Sequence, residues 1–218
     1  MQRIILLLTL ALSLGLQAQS QPRYYTDSDV RQRIVNFNVY GQPGTQFRRI
    51  GTDLNGVQPE VNDRFLSRLN GETGFSVDFN LRPLYLGVGV GQSWINYGHR
   101  LENDDVTDVQ ARYWAIPMRA GLVTHLSDEV TLEAWPTVTY RRAISFEHSA
   151  YPNPIFAPDF WTAGIQVGST VAITEYLSFV LMGVMDYGFN DLEAGASWRE
   201  YSELPLFFGV RAGLRVSL

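Results

Sequence analysis

The 218-residue sequence carries three histidines, His99, His125 and His148. His148 lies between Glu147 and Ser149, and Glu102 follows His99 closely. Serine, imidazole and carboxylate are the parts of a nucleophilic hydrolase, but nucleophile and base must converge in space. Such residues are common in loops, so the expectation is no enzymatic activity and no catalytic residue. The acidic stretch Glu102 to Asp108 (ENDDVTD) gathers the oxygen ligands that hard cations prefer. It lacks the spacing and glycine of an EF-hand loop, so it reads as a solvated loop tip. No metal site and no cofactor is expected. There is no cysteine, which removes disulfides and a thiol nucleophile.

A second chemical set is spread over the chain at alternating positions. Asp78, Arg119, Glu133, Arg211 and Arg215 each fall on the polar side of a period-two segment. With a turn centred near Leu126–Ser127, Arg119 and Glu133 stand opposite on neighbouring strands, and an ion pair between them is expected.

The segments holding these residues alternate as strands do. Ile34 to Tyr40 sets Val35, Phe37 and Val39 against Asn36, Asn38 and Tyr40. Phe75 to Arg82 and Leu84 to Trp94 alternate as cleanly. Val109–Val123, Glu129–Arg142 and Phe160–Ile173 follow less tidily. Tyr176 to Tyr187 is nearly all apolar, which leaves its register open. Leu204 to Leu218 opposes an apolar row to a row rich in Gly and Arg. That makes eight strands, joined by links that alternate long and short. A closed up-and-down barrel in an outer membrane sorts its loops this way, with short periplasmic turns and long external loops.

Three features point the apolar face outward. Gly87, Gly89, Gly91, Gly121, Gly164, Gly168, Gly209 and Gly213 share the polar face, where a narrow interior needs small residues. The charged set occupies that same face. Aromatic residues gather at strand ends and read as interfacial girdles. Trp94, Tyr97, Tyr113, Trp114, Tyr140, Phe160, Trp161 and Tyr187 are expected at the external rim, Tyr85 and Tyr176 at the periplasmic rim.

The N-terminus has the layout of a secretory signal peptide: a charged start, an apolar run Ile4–Leu16, and Ala18 suited to cleavage. The expected organisation is a signal peptide at 1–18, a periplasmic segment at 19–30 and a barrel domain at 31–218. The formal charge of −5 becomes −6 when Arg3 is lost, which argues against nucleic acid as a partner. All 17 basic residues are Arg.

Tyr113 to Arg142 resembles the central hairpin of the PorT-like outer-membrane β-barrel proteins of Bacteroidota, through Tyr113, Ile116, Pro117 and Trp135. Phe160 to Asp191 is similar to the next hairpin of that family with its Tyr187–Asn190 exit, and the final strand resembles the family's last. The likeness covers roughly residues 70–218. It implies a barrel in the outer membrane and, for a few members, a link to type IX secretion and gliding. Leu218 departs from the aromatic end usual there, and the long loop Gly41–Glu72 is unusual.

The fold class expected is all-β, an eight-stranded antiparallel up-and-down transmembrane barrel with both termini periplasmic. Expected partners are outer-membrane lipid and lipopolysaccharide, the barrel-assembly machinery, and proteins at the external loops. The role expected is structural or interactive, accessory to secretion or surface assembly. A lipid-modifying barrel enzyme and a soluble lipocalin-like periplasmic binder remain the alternatives.

Overall fold

The computed structural model describes residues 34–50, 65–81, 84–100, 106–127, 129–149, 158–189 and 203–218. The expected signal peptide, the segment 19–30, much of the first long loop, Glu102–Asp105 and Asn190 lie outside these residues.

Among the described residues nine strands form: β1 (Val35–Ile50), β2 (Phe65–Ser67), β3 (Leu69–Leu81), β4 (Leu84–Arg100), β5 (Val106–His125), β6 (Val130–His148), β7 (Asp159–Ala172), β8 (Leu177–Gly188) and β9 (Glu203–Ser217). All pairings are antiparallel, and β9 returns to β1. Eight strands therefore close a barrel. The short β2, separated from β3 by Arg68, adds to Tyr97–His99 of β4. Leu218 O accepts from the backbone N–H of Ile34 and the Leu218 N–H donates to Val35 O across the closing seam, so the last residue is held by the first strand.

Followed once round the barrel, register partners run from Phe37 through Val77, Val88, Met118, Val138, Ala163, Tyr187 and Leu206 back to β1 at Phe47. The displacement is ten residues. With eight strands, that stagger sets a strand tilt of about 40°.

Burial runs opposite to that of a soluble protein. Leu86, Val88, Val90, Ile116, Met118, Val138, Ile165, Val167, Leu181, Val210 and Leu214 are exposed, while Asp78, Arg119, Glu133, Arg141, Arg211 and Arg215 are buried. A lipocalin-type barrel would place the apolar row inside, so that alternative does not describe this chain. The register of β8, open in the sequence, is now fixed: Val180, Met182, Val184 and Asp186 point inward, and Phe179, Leu181 and Met185 outward. Both faces are apolar because these inward residues help fill the barrel.

Two four-residue turns repeat one device. Ser127 Oγ accepts from the backbone N–H groups of Glu129 and Val130, and Thr174 Oγ1 accepts from those of Tyr176 and Leu177. Side-chain capping of this kind stabilises a tight reversal without a glycine.

The strands overrun the loops expected from sequence. β4 reaches Arg100, β5 starts at Val106, β6 runs to His148 and β1 to Ile50. Above Trp94 the pattern inverts: Ile95 and Tyr97 point inward and are buried, while Gln110 and Arg112 on the facing strand are exposed. The ladder continues where the polarity rule changes, and that change imitates a loop.

Candidate functional site

The interior is the most chemically dense part of the molecule. Eight charged residues are buried there: Glu72, Asp78, Glu133 and Asp186, with Arg119, Arg141, Arg211 and Arg215. The four negative and four positive charges balance among the described residues.

They form two linked layers. Nearer the short turns, Arg119 on β5 reaches across β4 to Asp78 on β3, with its Nη2 2.7 Å from Oδ1 and 2.8 Å from Oδ2. Its Nη2 also donates to Ser76 Oγ at 2.7 Å. The residue between them in the row is Gly87. A Cβ there would overlap Asp78 Oδ1 and lie 2.9 Å from Arg119 Cγ. Glycine is thus what lets this pair span a strand. Arg215 holds Glu133 through both terminal nitrogens, the second at 2.8 Å. Glu133 also accepts from Thr170 Oγ1 at 2.6 Å and Trp135 Nε1 at 2.8 Å. Asn38 joins the two pairs, donating to Asp78 at 2.8 Å and accepting from Arg215 Nε at 2.8 Å.

In the second layer, Arg141 Nη2 lies 3.1 Å from Glu72 and 3.7 Å from Asp186. Arg211 stacks over Tyr40, 3.8 Å from the ring centre, and donates to Gln166 at 3.0 Å. Tyr40 OH donates to Glu72 at 2.9 Å. Each guanidinium is forked and serves several acceptors, work that a point-charge ammonium does poorly. The all-arginine composition acquires a structural use here.

Aromatic groups fill the remaining space. Trp135 is fully buried under Arg119, 5.0 Å from its ring, with Tyr85 edge-on at 5.9 Å. Gly121 makes room for it, since a Cβ there would enter the indole. Toward the long-loop end, Tyr113 packs edge-on to Phe160 at 5.0 Å and Phe146 at 5.4 Å, with Ile95, Tyr97 and Val109 around them. A Gly87→Ala variant is expected to lose about 1–3 kcal/mol to overpacking. Gly183→Ala, whose new methyl meets only Val167 O at 3.7 Å, is expected to be nearly neutral. Urea midpoints of the refolded variants check both.

All five charges named from sequence, Asp78, Arg119, Glu133, Arg211 and Arg215, lie inside the barrel. The expected Arg119–Glu133 pair does not form. The turn is centred two residues later, so Arg119 faces Thr137 and Glu133 faces Val123. Each charge takes a partner elsewhere. Glu72, Arg141 and Asp186 were missed: Glu72 lay within a presumed loop, Asp186 on the strand of open register, and Arg141 on a polar face without an evident partner.

The aromatic set divides. Trp114, Trp161 and Tyr176 are exposed, and Trp94, Tyr140 and Tyr187 are half-buried. Tyr97, Tyr113 and Phe160 are buried inside, and Tyr85 packs on Trp135, so these four are not girdle residues. Odd positions on β4 and β5 face inward, which clustering along the chain does not register.

At the long-loop end, His99 pairs in register with Thr107, and His148 with Val109. Ser149 Oγ accepts from the backbone N–H of Asp108 at 3.0 Å. Asp108 is paired with Arg68 at 3.2 Å. The Ser149 hydroxyl is therefore engaged structurally; of the two acids, Glu147 stands in register with Gln110, and Glu102 lies outside the described residues. Among the described residues no group of three His, Asp or Glu is placed to hold a metal.

The barrel has parallels among solved structures. The chain has the fold of the small outer-membrane β-barrels. It is similar to Neisserial surface protein A, with 14% identity and a TM-score of 0.51 over 84% of this chain and 97% of that one. It is similar to the outer membrane protein OprG of Pseudomonas aeruginosa, with 9% identity and a TM-score of 0.55 over 85% and 97%. No protein-family profile and no curated sequence matches the chain. The expectation of no enzymatic activity has to be withdrawn. The chain also matches the outer membrane protease OmpT of Escherichia coli, at 10% identity and a TM-score of 0.40 over 88% and 99%, so an enzyme stands among the matching barrels. So distant a likeness assigns no activity in its place.

Proposed function

We propose that the protein resides in the outer membrane as a small barrel and acts through its long-loop end as a structural or interaction protein. The observation that carries this reading is the inverted burial: an apolar band outside and a charge-balanced, filled interior within. Apolar surface of that extent is stable only against lipid. A filled interior favours recognition at the rim over passage through the barrel. Both termini and the turns at Leu126 and Thr174 face the periplasm, and β4–β6 rise at the cell surface.

The exposed aromatic residues Trp114, Trp161 and Tyr176, with Trp94, Tyr140 and Tyr187, serve as the interfacial belts. The barrel-assembly machinery inserts the chain, and proteins meet it at the external loops. An accessory role in secretion or surface assembly, of the PorT-like kind, rests on the likeness of Tyr113–Arg142 and Phe160–Asp191 to that family.

The absence of cysteine offers a direct test. Single variants Ser149→Cys and Leu126→Cys are treated in intact cells with a membrane-impermeant thiol reagent. Labelling of the first alone is expected. Labelling of the second alone would reverse the orientation, and labelling of a soluble fraction without detergent would end the membrane reading.

A further inference from the structure

The outer surface between β4 and β5 has a groove just above the apolar band. Gln92, Trp94, Asn96, Gln110 and Arg112 line it, with a volume of about 240 Å³, several times that of a single water. Along β5 the outward row reads Met118, Ile116, Trp114, Arg112 and Gln110, all exposed. Arg112 follows the last apolar position, two residues or about 7 Å along the strand beyond Trp114. Trp94 stands opposite it and Gln92 opposite Trp114. At this height a membrane presents headgroups rather than acyl chains.

The groove contains a guanidinium, three side-chain amides and an indole, and no carboxylate. Among the described residues Arg112 has no ion pair. The nearby acids do not supply one. Asp108 is engaged by Arg68 at 3.2 Å. Glu147 stands beside Gln110 on the outer face of β6 and makes no ion pair with Arg112. Asp159 lies opposite Arg142 and accepts from Tyr140 OH at 3.2 Å. Inside the barrel Arg119, Arg141, Arg211 and Arg215 each have acceptors. A guanidinium held beside donor and acceptor amides is suited to a phosphate monoester carried on a sugar: the fork takes the phosphate bidentately and the amides take ring hydroxyls. Trp94 offers a face on which a sugar ring packs.

We propose that this groove binds the phosphorylated glycolipid of the outer leaflet, with Arg112 as the phosphate ligand. The proposal rests on the outer-membrane orientation above, because the same groove turned the other way would meet phospholipid.

The full chain is inserted into phosphatidylcholine vesicles, and insertion is read by its heat-sensitive gel mobility. The detergent-solubilised barrel is then titrated with bisphosphorylated lipid A or with phosphatidylglycerol, and bound lipid is counted by native mass spectrometry. Lipid A is expected to bind more tightly than phosphatidylglycerol. Arg112→Gln is expected to weaken lipid A about tenfold, the size of one lost charged hydrogen-bond pair. Arg112→Lys is expected to fall between, and Arg142→Gln, outside the groove, to bind as the parent does. Unchanged binding by Arg112→Gln, or equal affinity for phosphatidylglycerol, overturns the proposal while leaving the membrane reading intact. A chain that fails to insert into vesicles overturns the membrane reading itself. Because Arg112 is exposed and supports no internal contact, parental gel mobility of the variant separates loss of binding from loss of fold.

Discussion

Replacing Glu133 with alanine is expected to destabilise the barrel by about 3–5 kcal/mol, the cost of leaving a buried charge without its partner. The reason lies in how many groups converge on this carboxylate. Arg215 holds both of its oxygens, Thr170 donates to one and Trp135 to the other. Alanine strands the Arg215 guanidinium in a space that is 7% exposed and already filled by Trp135. The urea midpoint of the barrel in phosphatidylcholine vesicles is the measurement. A double variant, Glu133→Leu with Arg215→Met, separates charge from packing. Removing both charges together is expected to recover most of the loss. If the double variant is as unstable as Glu133→Ala, the hydrogen bonds to Thr170 and Trp135, and not the unpaired charge, carry the effect.

The second large effect is on the outer face. Met118 lies in the row that joins Val88, Val138 and Val77 round the barrel. Met118→Arg is expected to cost about 2–4 kcal/mol in a bilayer, as a cation near the midplane. The native chain supplies the contrast, because Arg112 sits on the same face of the same strand and is tolerated there. In detergent micelles, which deform around a charge, the penalty is expected to shrink. Equal urea midpoints for Met118→Arg and the parent in vesicles would move the apolar band away from this row.

Much of this architecture is readable from the chain, and the failures have physical causes. Alternation in Phe75–Arg82 and Leu84–Trp94 states both the strands and their faces, because one side is large and apolar and the other is small or charged. β8 resists reading because Val180, Met182 and Val184 fill the lumen with the same kinds of side chain that β8 turns outward. The upper halves of β4, β5 and β6 resist it because the sides exchange character at Trp94, while the hydrogen-bond ladder continues, with one bulge between β5 and β6 at Arg112/Tyr113. The charged residues could be assigned to the interior but not paired. Pairing depends on the exact centre of a turn, which sets Thr137 rather than Glu133 opposite Arg119, and on contacts such as Arg215–Glu133 that cross the barrel. Asp78 and Arg119 could have been matched through Gly87, the one residue between them in the row that offers no side chain.

The long β4–β6 segment has a consequence for any encounter at the long-loop end. Twenty residues of β5, at the tilt described, rise about 50 Å, roughly twice the height of a lipid-facing band. The upper half of β5 is therefore a parapet on one side of the barrel, hydrogen-bonded on both edges. A body landing on it meets main chain that is already ordered, and only side chains lose freedom on contact. Such a surface favours slow departure over adaptability, and it exposes little backbone to proteases that attack loop tips.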